Sequence, residues 1–289
     1  MRTFSAFLCL ALFLALASIA SAAPVDTKRV TQSRAAVVNY WTEKRMENAT
    51  PVEQVLGSAA ERLAPAPFES YEYPGSYTTY PASTHGKVFF TLGGSNYVCS
   101  GTAVNSSNRS VVWTAGHCLN EGPGAFATNW AFVPAYRDGS RPFGTWTART
   151  LMTTSAWANS GDISYDVGAA VMNTSGGSAL TDVTGGRGIA FNYNRNQYYT
   201  SFGYPAAPPF TGERLWVCES QLETSDPSTS PQTMGIGCDM TGGSSGGGWI
   251  VGNDVYSVNS YGYLTQPNVM YGPYQGTVAQ SLYNQASIR

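Results

Sequence analysis

From Lys87 onward, apolar and polar positions alternate over short runs broken by Gly, Pro, Asn and Ser. That is the period of strands with one face on a core. The runs cover residues 88–92, 97–104, 111–115, 130–136, 145–152, 167–172, 198–204, 214–218 and 255–260, with a weaker one near Met270. Helical spacing returns only at residues 277–286. Before Lys87 the pattern is different. Residues 31–48 carry Ala35, Ala36, Val37, Val38 and Trp41 among charged residues, which predicts an amphipathic helix. Residues 51–63 predict a second, short helix. Pro65, Pro67, Pro74 and Pro81, set among tyrosines, read as an extended linker. Some 200 residues of short strands suffice for one all-β domain or two packed barrels.

The first residues alter this picture. Arg2 is the only charge before Asp26, residues 4–17 are dominated by Leu, Ala and Phe, and Ala20-Ser21-Ala22 has the small-x-small form of a cleavage site. Residues 1–22 therefore read as a secretory signal peptide, and the apolar stretch is shorter than the ~20 residues of a membrane span. Residues 23–87 contain no cysteine and more charge, as a pro-segment with its linker would; the alternative is an extension that stays attached. The domain with the chemistry is then 88–289, in a secreted, extracellular protein.

Of five cysteines, Cys9 leaves with the signal. The remaining Cys99, Cys118, Cys218 and Cys238 form an even set in an exported chain, which predicts disulfides between sequence neighbours. Each would contribute ~3 kcal/mol in the loop-entropy model. No two cysteines lie within four residues of each other, so the spacing is wrong for a zinc site, and no metal or cofactor is expected. Charged residues make up 12% of the chain and net charge is −2, which offers nothing to nucleic acid or an anionic membrane. A monomer is expected. Asn48, Asn105, Asn108 and Asn173 begin Asn-x-Ser/Thr sequons, candidate glycosylation sites.

Candidate chemistry centres on residues 238–249, Cys-Asp-Met-Thr-Gly-Gly-Ser-Ser-Gly-Gly-Gly-Trp. Glycine allows φ > 0 and close backbone approach, so the run can bend around a developing negative charge and present Ser245 as a nucleophile. A flexible linker would look similar, but this run is pinned between Cys238 and an apolar stretch. A serine hydroxyl needs a base. The chain holds two histidines. His85 sits in the linker-like Ser83-Thr84-His85-Gly86 and reads as a solvated surface residue. His117 follows the apolar strand 111–115 and is the better base. Its imidazole needs a carboxylate partner. Asp166, directly before the small and apolar stretch 167–171, is the best match, with Asp162 in reserve. Residues 243–247 also fit the G-x-S-x-G elbow of α/β-hydrolases, but those place histidine after serine, and no histidine follows His117.

The order His117, Asp166, Ser245 on an all-β chain resembles that of chymotrypsin-like serine peptidases. Thr-Ala-Gly-His-Cys at 114–118 resembles their histidine motif, Cys-Ser-Gly-Thr-Ala at 99–103 the strand before it, Asp-Val-Gly-Ala-Ala-Val at 166–171 the aspartate strand, and Gly-Ser-Ser-Gly-Gly at 243–247 the serine motif. Ser260-Tyr261-Gly262 resembles the strand that binds the substrate backbone. The bias is towards the microbial, glutamyl-endopeptidase-like branch. The resemblance implies two packed six-stranded antiparallel β-barrels with a short C-terminal helix, Cys99–Cys118 and Cys218–Cys238 disulfides, and an oxyanion hole from the amides of Gly243 and Ser245. It implies a protein or peptide substrate cut through an acyl-enzyme. A catalytically silent, protein-binding homologue and an esterase on non-peptide acyl groups are the alternatives.

The chain departs from the family pattern in places. Ser244 replaces the aspartate that binds a freed N-terminus in trypsin-like enzymes, and no Ile-Val-Gly-Gly start occurs near residue 88, so the pro-segment is read as a folding aid or steric cap. Asp239 lies six residues before Ser245, the offset at which trypsin-like enzymes floor the primary pocket with a carboxylate that selects Lys or Arg. Thr241 stands where those enzymes have a cysteine, and a turn or capping role for Asp239 is the alternative. Glutamate selectivity in the resembling branch uses a pocket histidine after the serine, which this chain lacks.

Overall fold

The strand His85–Leu92 is buried along its whole length, on both faces, which alternation alone does not predict. One face lines a barrel; the other lies under the N-terminal segment. The computed structural model describes residues 24–52, 55–56 and 70–289. The proposed signal peptide lies outside the described residues, as do Pro65 and Pro67 and most of the second expected helix. Val55–Leu56, within that expected helix, is instead a short strand.

Six strands close the first barrel, all antiparallel: Trp146–Thr154, Gly168–Met172, Val111–Thr114, Ser95–Val104, His85–Leu92 and Thr128–Pro134, the last pairing back onto the first. The second sheet runs Asp254–Val258, Gly248–Val251, Tyr198–Gly203, Trp216–Ser225, Met234–Gly237 and Gln266–Gly272, with Tyr261–Tyr263 beyond. This is the expected all-β, two-barrel architecture. Closure ties distant sequence together, and Trp113, Phe132, Leu151 and Val171 fill the core with no exposed surface. The C-terminal helix Thr277–Ser287 packs Ala279, Leu282 and Ala286 back onto the first barrel.

The N-terminal segment is part of this packing. Val25–Arg29 adds an antiparallel strand to Trp146–Thr154. The single helix expected over 31–48 is two, Arg34–Tyr40 and Glu43–Glu47. Thr42 restarts the helix by accepting from the Arg45 amide, and Trp41 between them turns inward, 1% exposed, against Phe89. The tyrosine-rich linker is also packed from residue 70: Tyr71–Glu72 pairs with Trp216–Val217, and Tyr77, Ala82, Ser83 and Thr84 are buried.

His85 corrects the surface reading. It is 2% exposed, stacked on Phe202 at 4.0 Å, and opens the strand His85–Leu92. Arg187 Nη2 donates to its Nε2 (3.4 Å), so Nδ1 carries the proton and donates to Thr102 Oγ1 (3.1 Å). Burial, with the nearby Arg187 charge, holds its pKa well below the ordinary histidine value. The flanking Ser, Thr and Gly suggested a loop; the aromatic and guanidinium partners come from 102 to 117 residues away.

Candidate active site

His117 sits on the turn Gly116–Cys118 that ends the strand Val111–Thr114. Asp166 holds it twice: Oδ1 accepts from the His117 amide (2.8 Å) and Oδ2 binds Nδ1 (2.7 Å). Asp166 is fully buried and His117 2% exposed. A carboxylate on Nδ1 leaves the proton there and turns the Nε2 lone pair outward. Nε2 is buried and has no hydrogen-bond partner among the described residues, Ser245 Oγ included. Ser260 Oγ also donates to Asp166 Oδ2, so the residue expected to line the substrate strand supports the carboxylate as well. Asp162, the reserve, caps the turn Ile163–Tyr165 through the Ser164 amide (3.0 Å) and does not reach the imidazole.

Ser245 stands on the loop between Gly237 and Gly248, at the mouth of a cavity of about 290 Å³. Two glycines make its bend possible. Gly243 and Gly246 have φ of 95° and 82°, and a Cβ on Gly246 would lie 2.0 Å from Thr114 Oγ1 and 2.4 Å from Ser100 O. Among the described residues, the amides of Gly243 and Ser245 donate to no protein acceptor, unlike the Ser244, Gly246 and Gly247 amides around them. Two such uncommitted donors beside a serine can receive an oxyanion.

Two residues that sequence reasoning missed fasten this loop. Ser100 donates its amide to Ser245 O (2.7 Å) and its hydroxyl to Gly243 O (2.9 Å), stitching the serine loop to the barrel that carries His117. Asn259 donates Nδ2 to Ser244 O (3.1 Å), and its carbonyl accepts from the Gly246 amide (2.7 Å). Ser100 stood inside the quoted strand motif and Asn259 directly before Ser260, but nothing in their type signals a loop 145 residues or 15 residues away. The Cys99–Cys118 and Cys218–Cys238 disulfides are both formed. The first ties the His117 turn to the strand beneath Ser245.

Tyr261 and Gly262 line the cavity with Ser260. Asp226 braces that strand from behind, accepting from Tyr261 Oη (2.6 Å) and Tyr263 Oη (2.7 Å). Burial alone would raise its carboxyl, but these donors and Ser228 outweigh it and hold the pKa at about 2. Asp239 is placed otherwise than expected for a pocket floor. It is not part of the cavity wall, and its Oδ1 accepts from the Ser70 amide (2.9 Å). Its neighbours Cys238 and Met240 both belong to the wall.

No family model matches the sequence. A 107-residue stretch is 30% identical to the extracellular metalloprotease of Bacillus subtilis (strain 168), covering 36% of this chain and only 33% of that protein. The chain thus spans about a third of that curated relative. Among the described residues, the one group of candidate metal-ligand atoms is Cys99, His117 and Cys118, and both sulfurs are spent in a disulfide. Solved structures match over far more. The protease Anisep of Arthrobacter nicotinovorans is 55% identical, covering 73% of this chain and 99% of that one, with a TM-score of 0.69. The thermostable serine protease AL20 of an extremophilic microorganism is 48% identical over 71% and 97%, TM-score 0.68. A Glu endopeptidase solved with MPD shares the fold at 19% identity over 76% and 97%, TM-score 0.61. The two-barrel fold and near-complete coverage of proteases at about half identity agree with the resemblance carried by the motifs, and the chain belongs to the chymotrypsin-like serine peptidases, hydrolases of the peptide bond.

Proposed function

We propose that this is a secreted serine endopeptidase in which His117 is the general base, Asp166 its orienter and Ser245 the nucleophile. The buried Asp166–His117 couple is the observation that carries this reading. Asp166 fixes both the backbone and the Nδ1 tautomer of His117, leaving Nε2 as the site for the Ser245 proton. Ser245 Oγ attacks the scissile carbonyl as its proton passes to Nε2. The carbonyl oxygen becomes an oxyanion received by the Gly243 and Ser245 amides. The imidazolium then protonates the leaving amine, the acyl-enzyme forms, and water repeats the sequence to release the acid. The site is complete in kind, which disfavours a silent homologue. A fluorophosphonate probe should label processed protein at Ser245, and Ser245→Ala should abolish the label. A wild-type protein that stays unlabelled would end the enzyme reading, and a labelled one that cleaves esters but no peptides would make it an esterase.

Export rests on the signal-like residues 1–22, the two disulfides and the sequons; no helix among the described residues is long and apolar enough to cross a membrane. Residues 24–70, the greater part of the proposed pro-segment, are proposed to act as its inhibitory portion, since residues 71–87 pair and pack within the two sheets. Two of its pieces pair with the walls of the cleft. Thr50–Pro51 runs parallel to Tyr97–Val98, with Pro51 and Val52 sharing a cavity with His117. Val55–Leu56 runs parallel to Gly262–Tyr263. The acyl half of a substrate must lie along residues 260–262, where the cavity beside Ser245 opens, so the leaving half lies on the His117 side. This segment runs from the leaving side to the acyl side, against the direction of a substrate, and so occupies both backbone-binding edges without offering a scissile bond. A synthetic peptide of residues 24–70 should inhibit processed enzyme competitively. Inhibition that leaves KM unchanged, or none at millimolar peptide, would remove this role.

A further inference from the structure

The wall of the cavity beside Ser245 carries no carboxylate, ammonium, guanidinium or imidazole. Met240, Val269 and Met270 line it, together with Tyr261, Tyr263 and Leu264. Several polar side chains in the wall are already committed to the protein. Thr241 Oγ1 donates to Ala207 O, Ser244 Oγ to Thr241 O, and Ser260 Oγ to Asp166. The Tyr261 and Tyr263 hydroxyls both donate to Asp226, behind the strand. Gln266 Oε1 accepts from Tyr271 Oη (2.6 Å). The wall exposes more apolar than polar surface and no charged group. Asp239, the one charged residue whose offset suggested pocket chemistry, is not part of this wall.

We infer that this cavity is the primary specificity pocket and that it selects an uncharged, large apolar side chain, Phe, Tyr, Leu or Met, on the acyl side of the cut bond. The inference rests on the triad reading, because only attack by Ser245 makes this cavity the one that receives that side chain. A cavity of about 290 Å³ accommodates an aromatic or long aliphatic group. A Glu or Arg head group seated there would leave water without gaining an opposite charge, which disfavours it strongly. Asp226 adds to this against glutamate, since its charge stands directly behind the two tyrosines. Methionines in the wall adapt to differently shaped apolar groups, so aliphatic and aromatic residues should both be accepted.

The test uses processed enzyme whose active concentration is set by fluorophosphonate labelling, which reports Ser245 independently of the pocket. Tetrapeptide amides differing only in the residue before the cleaved bond are then compared. The Phe, Leu and Met substrates should exceed Arg, Lys and Glu in kcat/KM by on the order of 100-fold. Gly262→Phe, whose added Cβ would meet nothing nearer than Val269 O at 3.5 Å and so extends into open space at the cavity wall, should lower the Phe-to-Ala substrate ratio at least ~10-fold while the label persists. A labelled wild-type enzyme that prefers Arg or Lys, and loses that preference in Asp239→Asn, would overturn the inference and return Asp239 to the pocket. A preference for Glu would overturn it equally. Failure to label would instead strike the triad reading beneath it.

Discussion

His117→Ala should lower kcat by ~10⁴-fold or more while the protein stays folded. Of the two histidines, His117 is the one whose Nε2 has no hydrogen-bond partner among the described residues; His85 is bound to Arg187 and Thr102. Without a base the Ser245 hydroxyl keeps its proton and attacks poorly, and the residual rate comes from the oxyanion donors and binding. Folding should survive because the backbone amide of residue 117, which alanine retains, still donates to Asp166 Oδ1, and Ser260 still donates to Oδ2. The buried carboxylate therefore keeps two of its three donors. Stopped assays on folded protein, with the melting temperature as control, check this. Activity within ~100-fold of wild type would show that His117 is not the base.

Gly246→Ala carries the second large effect, on stability and activity together. The residue has φ of 82°, and the added Cβ would lie 2.0 Å from Thr114 Oγ1, 2.4 Å from Ser100 O and 2.9 Å from Ala115 N. None of these atoms is free to retreat. Thr114 Oγ1 donates to Ser100 O at 2.8 Å, the Ser100 amide donates to Ser245 O at 2.7 Å, and both residues sit at strand positions of the first barrel. Left-handed strain and overpacking together should cost ~3 kcal/mol, roughly 10 °C in melting temperature. The relief available is a shift of the serine loop, which moves Ser245 relative to His117 and should reduce kcat/KM by ~10²-fold in the fraction that folds. Gly252→Ala is the control. Its φ of 61° is also left-handed, but its Cβ would meet nothing within 4 Å, so it should cost only ~1 kcal/mol and leave activity intact. Equal losses in the two variants would mean that the contact with the Thr114 strand is unimportant.

The strands of the peptidase domain were legible where alternation or apolar runs were strong. Residues 88–92, 97–104, 111–115 and 198–204 lie on observed strands to within a few residues. Met234–Gly237 and Gly248–Val251 were missed, because glycines at their ends erase the alternation and mimic a turn. Tyr261–Tyr263 was named as a substrate strand by resemblance but is too short to show a period. The helix 277–287 was clear; the one over 31–48 hid its break, because an inward Trp41 looks the same in a sequence as another position on an apolar stripe.

Chain order pointed to His117, Asp166 and Ser245 as candidates, since one histidine precedes the glycine-rich run at a strand end and none follows it, and the fold brings Asp166 onto His117 Nδ1. Cysteine parity and spacing likewise anticipated both disulfides. These are properties of residue type and order, which one-dimensional information holds in full. Tertiary structure decided what depends on orientation and on distant partners. It buried His85 among Phe202, Arg187 and Thr102, and assigned Ser100 and Asn259 to the serine loop. It also left Asp239 out of the cavity wall and bound to the amide of Ser70, 169 residues earlier. An offset from Ser245 specifies distance along the chain. Which way a side chain points is set by the backbone dihedrals and by the groups that long-range folding brings against it, and that is why the pocket's chemistry became readable only in three dimensions.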